Sequence, residues 1–253
     1  MTRHFHVVFW LLAALWPGLL SAEALRWGFG PADGMPYVEV SDHVLLGGFI
    51  QRLGERIGQD LAVPVNFVET PNKRIEASLK SGRIHLICNA NPEWMVDATA
   101  YHWSPPLLEE EDVLLQHRDS PAITSLSDLK GKVLGTYLGY AYSVPLMEAF
   151  ANRDVERKDM RDRDMSLNLL SRKRLDAIID MRRALAYELA RRPEAPLLFS
   201  PWVVERYRLH CAYGNQLPVS AERLDAALQN LRDSGEVERL LQGEQHRADA
   251  QDH

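Results

Sequence analysis

The 253-residue sequence predicts an α/β fold in which helices cover parallel sheets. Two observations carry this. Short apolar runs of strand length, such as LRWGF (25–29), RIHLIC (83–88) and DAIID (176–180), alternate along the chain with longer segments. Those longer segments repeat apolar residues at helical spacing, as Phe49, Ile50, Leu53, Ile57 and Leu61 do, and as Leu224, Leu228 and Leu231 do.

In order, LRWGF is the first strand and GPADGMP the loop after it. A helix covers the pattern from Phe49 to Leu61, and PVNFVE (64–69) is the next strand. NKRIEASLKSG (72–82) is a short helix, with Gly82 where a helix C-terminus favours a left-handed residue. RIHLIC is a buried strand, DVLLQ (112–116) a further strand, SLSDLKG (125–131) a capped turn and KVLGTY (132–137) a strand again. A helix starts at Ser143, with Pro145 tolerated in its first turn. SLNLLSRKR (166–174) is helical, DAIID a strand, and RRALAYELARR (182–192) a helix that ends before Pro193. APLLFS (195–200) and RYRLHCAY (206–213) are two strands, and two helices over 220–235 and 236–243 close the chain before a polar tail.

Residues 1–24 have the three parts of a secretory signal peptide. MTRHFH carries Arg3, VVFWLLAALWPGLL is apolar, and Ala22, Glu23 and Ala24 offer a small-residue cleavage site near Ala24. The apolar run is short for a membrane span, which sets the uncleaved anchor aside. No Cys lies near the cleavage site, so a lipid-anchored product is not expected. The formal net charge of −6 gives no general attraction to nucleic acid or anionic lipid. Cys88 and Cys211 do not make a disulfide framework, and two buried free thiols are expected.

In folds of this class ligands sit beyond the carboxyl ends of the strands. That rule selects three loops: PADGMPY (31–37), NANPEWM (89–95) and YLGYAYS (137–143). They supply Asp33, Asn89 and Asn91 as acceptors, and Tyr37, Trp94, Tyr140 and Tyr142 as aromatic faces for a flat or cationic ligand. Gly139 lets the backbone approach closely, and N–H groups from Gly139 to Ser143 precede a helix and face an anion site; Ser143 is equally a plain helix cap. There is no G-x-S-x-G motif, no H-E-x-x-H motif and no Cys-based metal spacing, so no catalytic residue, metal or cofactor is assigned.

The ordered set GGF (47–49), ASLKSGRIHLIC (77–88), YHWSPPLL (101–108), SLSDLKGKVLGTYLGYAYS (125–143), RLDAIID (174–180) and LRDSGEVERLL (231–241) resembles the bacterial extracellular solute-binding proteins of family 3 over essentially the whole mature chain. The resemblance implies a two-lobed, Venus-flytrap fold of the type II periplasmic binding proteins. Two crossover strands would join the lobes near 107–111 and 205–209. Lobe one would be 25–108 plus 208–253 and lobe two 109–207. A bond between Cys88 and Cys211 would then restrain closure. The implied role is a monomeric periplasmic receptor that captures a small polar solute, amino-acid-like or cationic and aromatic, for an ABC-type permease. A receptor for a membrane signalling partner is the alternative, and a dehydratase-like enzyme on the same scaffold is the lesser one, with Asp97 or Glu93 as its acid or base.

The sequence departs from the family's site in one respect. Members that bind amino acids place an Arg after the strand equivalent to RIHLIC, but no Arg occurs between Arg83 and Arg118. Alignment from WSPP puts Asp97 there, and alignment on NPE puts Trp94 there. The family's ammonium-binding Asp falls on Met181, with Asp180 one residue short; Asp180 is then either an anchor or a strand-end residue. His85, on the strand, is read as structural. Tyr101, His102 and Trp103 are read as core and hinge-side packing, and the run Glu109, Glu110, Glu111, Asp112 as a solvated face.

Overall fold

A computed structural model describes residues 23–251, with side chains through Gly243. The first 22 residues of the expected signal peptide lie outside the described residues.

The first lobe is built on β1 (Leu25–Phe29), flanked by a small hairpin of β2 (Glu39–Ser41) and β3 (Val44–Gly47). Helix α1 (Phe49–Leu61), strand β4 (Val65–Glu69), helix α2 (Ile75–Lys80), strand β5 (Leu86–Ala90) and the short β6 (His102–Trp103) follow. Strand β7 (Leu108–His117) leads into the second lobe, formed by β8 (Val133–Tyr137), α3 (Val144–Ala151), β9 (Glu156–Met160), α4 (Arg163–Ser171), β10 (Ala177–Met181) and α5 (Arg182–Ala190). The 17-residue β11 (Leu197–Tyr213) returns to the first lobe, which α6 (Ala221–Asp233) and α7 (Glu236–Gln251) complete.

Hydrogen bonding runs β4–β1–β5–β11–β7–β10–β8–β9, with β6 on the flank of β11. β1 pairs in parallel with both β4 and β5, and β8 with both β9 and β10. The two antiparallel strands β7 and β11 join the halves, paired from Leu197 opposite His117 to Leu209 opposite Leu108 with register shifts between Phe199 and Val203 and between Val203 and Glu205. Beyond that, β11 pairs with β5, with His210 opposite Ala90.

The helical spacing works as expected: α1 buries Phe49, Ile50, Leu53, Ile57 and Leu61, and α6 buries Leu224, Leu228 and Leu231 against the same core. Ser220 caps α6, its side chain accepting from the N–H of Arg223. β10 is buried at every position, as a central strand covered on both faces must be. Its alternate residues serve two cores: Ile179 joins Leu114 and Leu134, while Ile178 joins Leu115 and Tyr137.

Several expectations are corrected. APLLFS and RYRLHCAY are parts of one strand, β11, whose register shifts between Phe199 and Val203 around Pro201, a residue that cannot donate to a ladder. ERKDM (156–160), not anticipated as a strand, is β9 on the sheet edge, polar because one side of it meets no neighbour strand. Cys88 and Cys211 are not free thiols but form a disulfide. Both lie on the neighbouring strands β5 and β11 of one lobe, so the bond does not cross the hinge. His102, read as packing, stacks on Tyr213 with ring centroids 5.3 Å apart but keeps an exposed edge 2.7 Å from Asp225, while Tyr101 and Trp103 pack half-buried against the core. His85 is fully buried, and its Nδ1 accepts from the N–H of Arg26.

The acidic run is a further correction. On a strand, successive side chains face opposite ways, so Glu109 is exposed while Glu110 and Asp112 are 3% and 6% exposed. Glu110 accepts from the hydroxyl of Tyr37 and pairs with Arg183 at 2.9 Å, and Asp112 accepts from the hydroxyl of Tyr207 at 2.7 Å.

Burial pushes the Asp112 carboxyl up to about 7, and Asp180, Glu205 and Glu110 add to this against the Tyr207 hydrogen bond. A carboxyl with a raised folded-state pKa contributes stability that is complete below its unfolded pKa of about 4 and lost as pH rises through about 7. Asp112→Asn keeps an acceptor for Tyr207 and removes the titration. The variant should therefore lack a loss of roughly 3 kcal/mol that the parent shows between pH 4 and 7. Urea midpoints at a series of pH values check it, and parallel profiles for parent and variant would count against the buried acid.

Candidate functional site

A cavity of about 80 Å³ lies between the lobes. From the first lobe it is lined by Gly30 and Asp33 after β1, Asn72, Ile75 and Glu76 at the start of α2, and Ile87 to Ala90 on β5 with Trp94 and Met95 beyond. From the second it is lined by Gly139, Tyr140 and Ala141 after β8 and by Met181 at the end of β10. All four strands present their carboxyl ends to it, so the loops after them converge.

On its wall Asp33 accepts from the hydroxyl of Tyr140 at 2.8 Å and from Nδ2 of Asn89 at 3.0 Å. The first of these contacts bridges the lobes. Burial pushes the Asp33 carboxyl up to about 6, against the two hydrogen bonds and the nearby Arg163 charge. Asn89 adopts a left-handed backbone (φ 58°), and its Oδ1 is buried without a hydrogen-bond partner. Trp94 stands edge-on to Tyr207, with ring centroids 5.1 Å apart. Gly139 (φ 86°) brings the β8–α3 loop against the first lobe: a Cβ there would sit 3.1 Å from Cγ of Lys73.

Asp33, Asn89, Trp94, Gly139 and Tyr140 are thus brought together around one space. The other residues selected from the sequence lie elsewhere. Tyr37 is buried beneath the hinge, donating to Glu110. Asn91 is occupied in capping, accepting from the N–H of Glu93 at 2.8 Å and donating to the carbonyl of Arg208 at 3.1 Å. Tyr142 is in the second-lobe core, where its hydroxyl accepts from the N–H of Tyr137 at 3.0 Å. Ser143 stands at the N-terminus of α3 without a side-chain cap bond. Asp97 is exposed, its side chain accepting from the hydroxyl of Thr99, and does not line the cavity. Of the two residues aligned with the family's Arg, only Trp94 faces the space.

Asp180 holds a partner that sequence reading missed. Arg163, the first residue of α4, sends Nε and Nη2 to Oδ2 of Asp180 at 3.0 and 2.6 Å, and Nη1 to the carbonyl of Ala32 at 2.7 Å. Its guanidinium lies 4.8 Å from the centre of the Tyr137 ring. The pair is buried, so desolvation raises the Asp180 carboxyl while the Arg163 charge opposes that rise. Because Ala32 is in the first lobe and Arg163 in the second, this too is a bridge across the cleft. It passes directly over Gly34 (φ 61°), where any Cβ would collide with Nη1. The available signal was Asp162: its side chain accepts from the N–H of Met165 at 2.7 Å and starts α4 three residues before the expected Ser166, placing Arg163 in the first turn. Among the described residues no group of His, Cys, Asp and Glu is arranged to hold a metal ion.

Two lobes on crossing strands with a lined cavity between them define the type II periplasmic binding protein architecture. The chain belongs to the bacterial extracellular solute-binding proteins, family 3, whose profile matches residues 29–243. A probable histidine-binding protein of Campylobacter jejuni is 24% identical over 149 residues, which is 59% of this chain and 57% of that protein. This chain therefore matches little more than half the length of that relative. An ancestral arginine-binding protein bound to arginine superimposes with a TM-score of 0.72 at 22% identity, covering 87% of this chain and 97% of that one. An amino acid ABC transporter substrate-binding protein from Streptococcus pneumoniae bound to L-arginine gives a TM-score of 0.71 at 19% identity, over 89% and 95%. Among the described residues no helix is long and apolar enough to cross a membrane.

Proposed function

We propose that the chain is a monomeric periplasmic receptor that encloses one small polar solute between its lobes and presents the closed form to an ABC-type permease. The observation that supports this most directly is the pair of interlobe contacts around one cavity, Tyr140 to Asp33 and Arg163 to the carbonyl of Ala32. Closure about β7 and β11 makes or breaks both, and a solute that bridges the same walls shifts the balance toward the closed state. In this reading the lobes divide at 108/109 and 207/208. Asp33, Asn89, Trp94, Gly139 and Tyr140 contact the solute, while Asp180 acts through Arg163. The same closed form would serve a membrane sensor equally well.

We take the chain as a receptor and not as an enzyme. Asp33, with its carboxyl near 6, is the cavity group best placed to move a proton, so the test follows the fate of the compound as well as its binding. Purified protein is screened by thermal shift against amino acids, polyamines, quaternary amines, dicarboxylates and aromatic acids. A compound at a hundred times its Kd adds about 2.7 kcal/mol of stability. At least one should do so and be recovered unchanged after prolonged incubation. Conversion to a dehydrated or decarboxylated product would replace the receptor reading with the enzyme one.

A further inference from the structure

We propose that the interlobe cavity takes a small organic cation that carries no carboxylate, a primary amine or guanidinium on a short apolar body. The inference rests on the receptor reading above and narrows it.

The charged groups that line the cavity are all acids. Asp33 and Glu76 bring two carboxylates, and no Lys, Arg or His is among the lining residues. The hydroxyl of Tyr140 and Nδ2 of Asn89 are both given to Asp33. What Asn89 has left is Oδ1, an acceptor buried with no partner. A buried acceptor without a donor is costly, and an ammonium or guanidinium N–H supplies the missing half. Glu76 accepts from the N–H groups of Val96 at 2.8 Å and Asp97 at 3.4 Å, which fix its carboxylate on the wall.

The guanidinium of Arg163 does not offset this. Arg163 is neutralised by Asp180 and its remaining edge is on the Ala32 carbonyl, so freeing it for a ligand carboxylate would strand Asp180 in the interior. The backbone of the Gly139–Ser143 loop is the other place for an anion, and the N–H of Tyr140 is already donated to the carbonyl of Tyr137. A ligand carboxylate would therefore meet Asp33 and Glu76 with no Lys, Arg or His among the lining residues to receive it. The remaining walls suit an organic cation: the rings of Trp94 and Tyr140 offer negative faces, and Ile75, Ile87, Met95 and Met181 cover a hydrocarbon body.

The test compares compounds that differ only by the carboxylate: agmatine with L-arginine, putrescine with L-ornithine, cadaverine with L-lysine and histamine with L-histidine, each titrated calorimetrically into the purified protein. In at least one pair the amine should bind at least tenfold more tightly than its amino acid. Trp94→Leu and Asp33→Asn should each weaken that amine by tenfold or more, and Trp94→Leu, which removes only a half-buried ring, carries the result if Asp33→Asn does not fold. If the amino acid binds as well as or better than the amine in every pair that binds, the proposal falls while the receptor reading stands. The proposal also falls, and the receptor reading again stands, if all four amines are silent and L-glutamate or another carboxylate binds. If no compound of any class binds, both fall.

Discussion

Asp180→Asn is expected to destabilise the protein by about 3–5 kcal/mol, the cost of leaving one member of a buried ion pair unmatched. The Arg163 side chain is only 11% exposed, and its carboxylate contacts at 2.6 and 3.0 Å both go to one oxygen of Asp180. An asparagine retains an acceptor but not the charge, so a buried guanidinium is left to the partial compensation of Asp33. Removing both charges together, in Arg163→Met/Asp180→Leu, should recover much of the loss, because apolar groups of similar volume need no counter-charge. Urea denaturation of Arg163→Met, Asp180→Leu and the double variant measures the coupling. A loss below about 1 kcal/mol for Asp180→Asn would place the pair in solvent rather than in the interior. A second readout separates stability from closure. Arg163→Met also deletes the donor to the Ala32 carbonyl, so it should open the cleft and enlarge the radius of gyration, whereas a purely intralobe pair would leave the radius unchanged.

That arginine shows what the sequence could and could not convey. Helices α1 and α6 were legible because five and three large apolar side chains at helical spacing leave one buried face. β10 was legible because a strand buried on both faces has no room for a polar residue before Asp180, one residue from its end. The loops that line the cavity were legible from the rule that ligands lie beyond the carboxyl ends of strands. Arg163 was not, for a specific reason: the family's cleft guanidinium is expected just after β5, whereas this one enters from α4 in the other lobe. Its role depends on a contact 131 residues away at Ala32, which local pattern does not encode.

The acidic run illustrates a different failure. Four carboxylates in a row look like a solvated face only if the segment is irregular or helical. On a strand that links two lobes the alternation forces every second one inward, and Glu110 and Asp112 find Arg183 and the hydroxyls of Tyr37 and Tyr207 there. β9 escaped notice for the converse reason, since an edge strand such as ERKDM carries its pairing in the backbone and little of it in the side chains. Tyr37, Asn91 and Tyr142 sit on the loops that the rule selects, yet each turns its polar group to the frame. Loop membership alone does not tell which side chain faces the space.

Reduction of Cys88–Cys211, or Cys88→Ser/Cys211→Ser, is expected to cost about 2–4 kcal/mol. The bond joins residues 123 apart, and the loop it closes contains β7 and every element of the second lobe. In the unfolded chain such a closure removes a large share of conformational freedom, while in the folded chain it links β5 and β11, which are already neighbours. The bond therefore stabilises the first lobe as the platform from which the second is suspended, and it does so without spanning the hinge. Two consequences distinguish this from a bond that restrains closure. The denaturation midpoint should fall on reduction, and the amplitude of any ligand-induced compaction, followed by small-angle scattering, should be the same in oxidised and reduced protein. A reduced form that closes further, or a midpoint that does not move, would mean that the crosslink acts on the hinge or that the reduced chain keeps β5 and β11 together unaided. Cys88 also lines the cavity, so the serine pair changes one atom of its wall, and comparing that variant with the chemically reduced protein separates the wall from the crosslink.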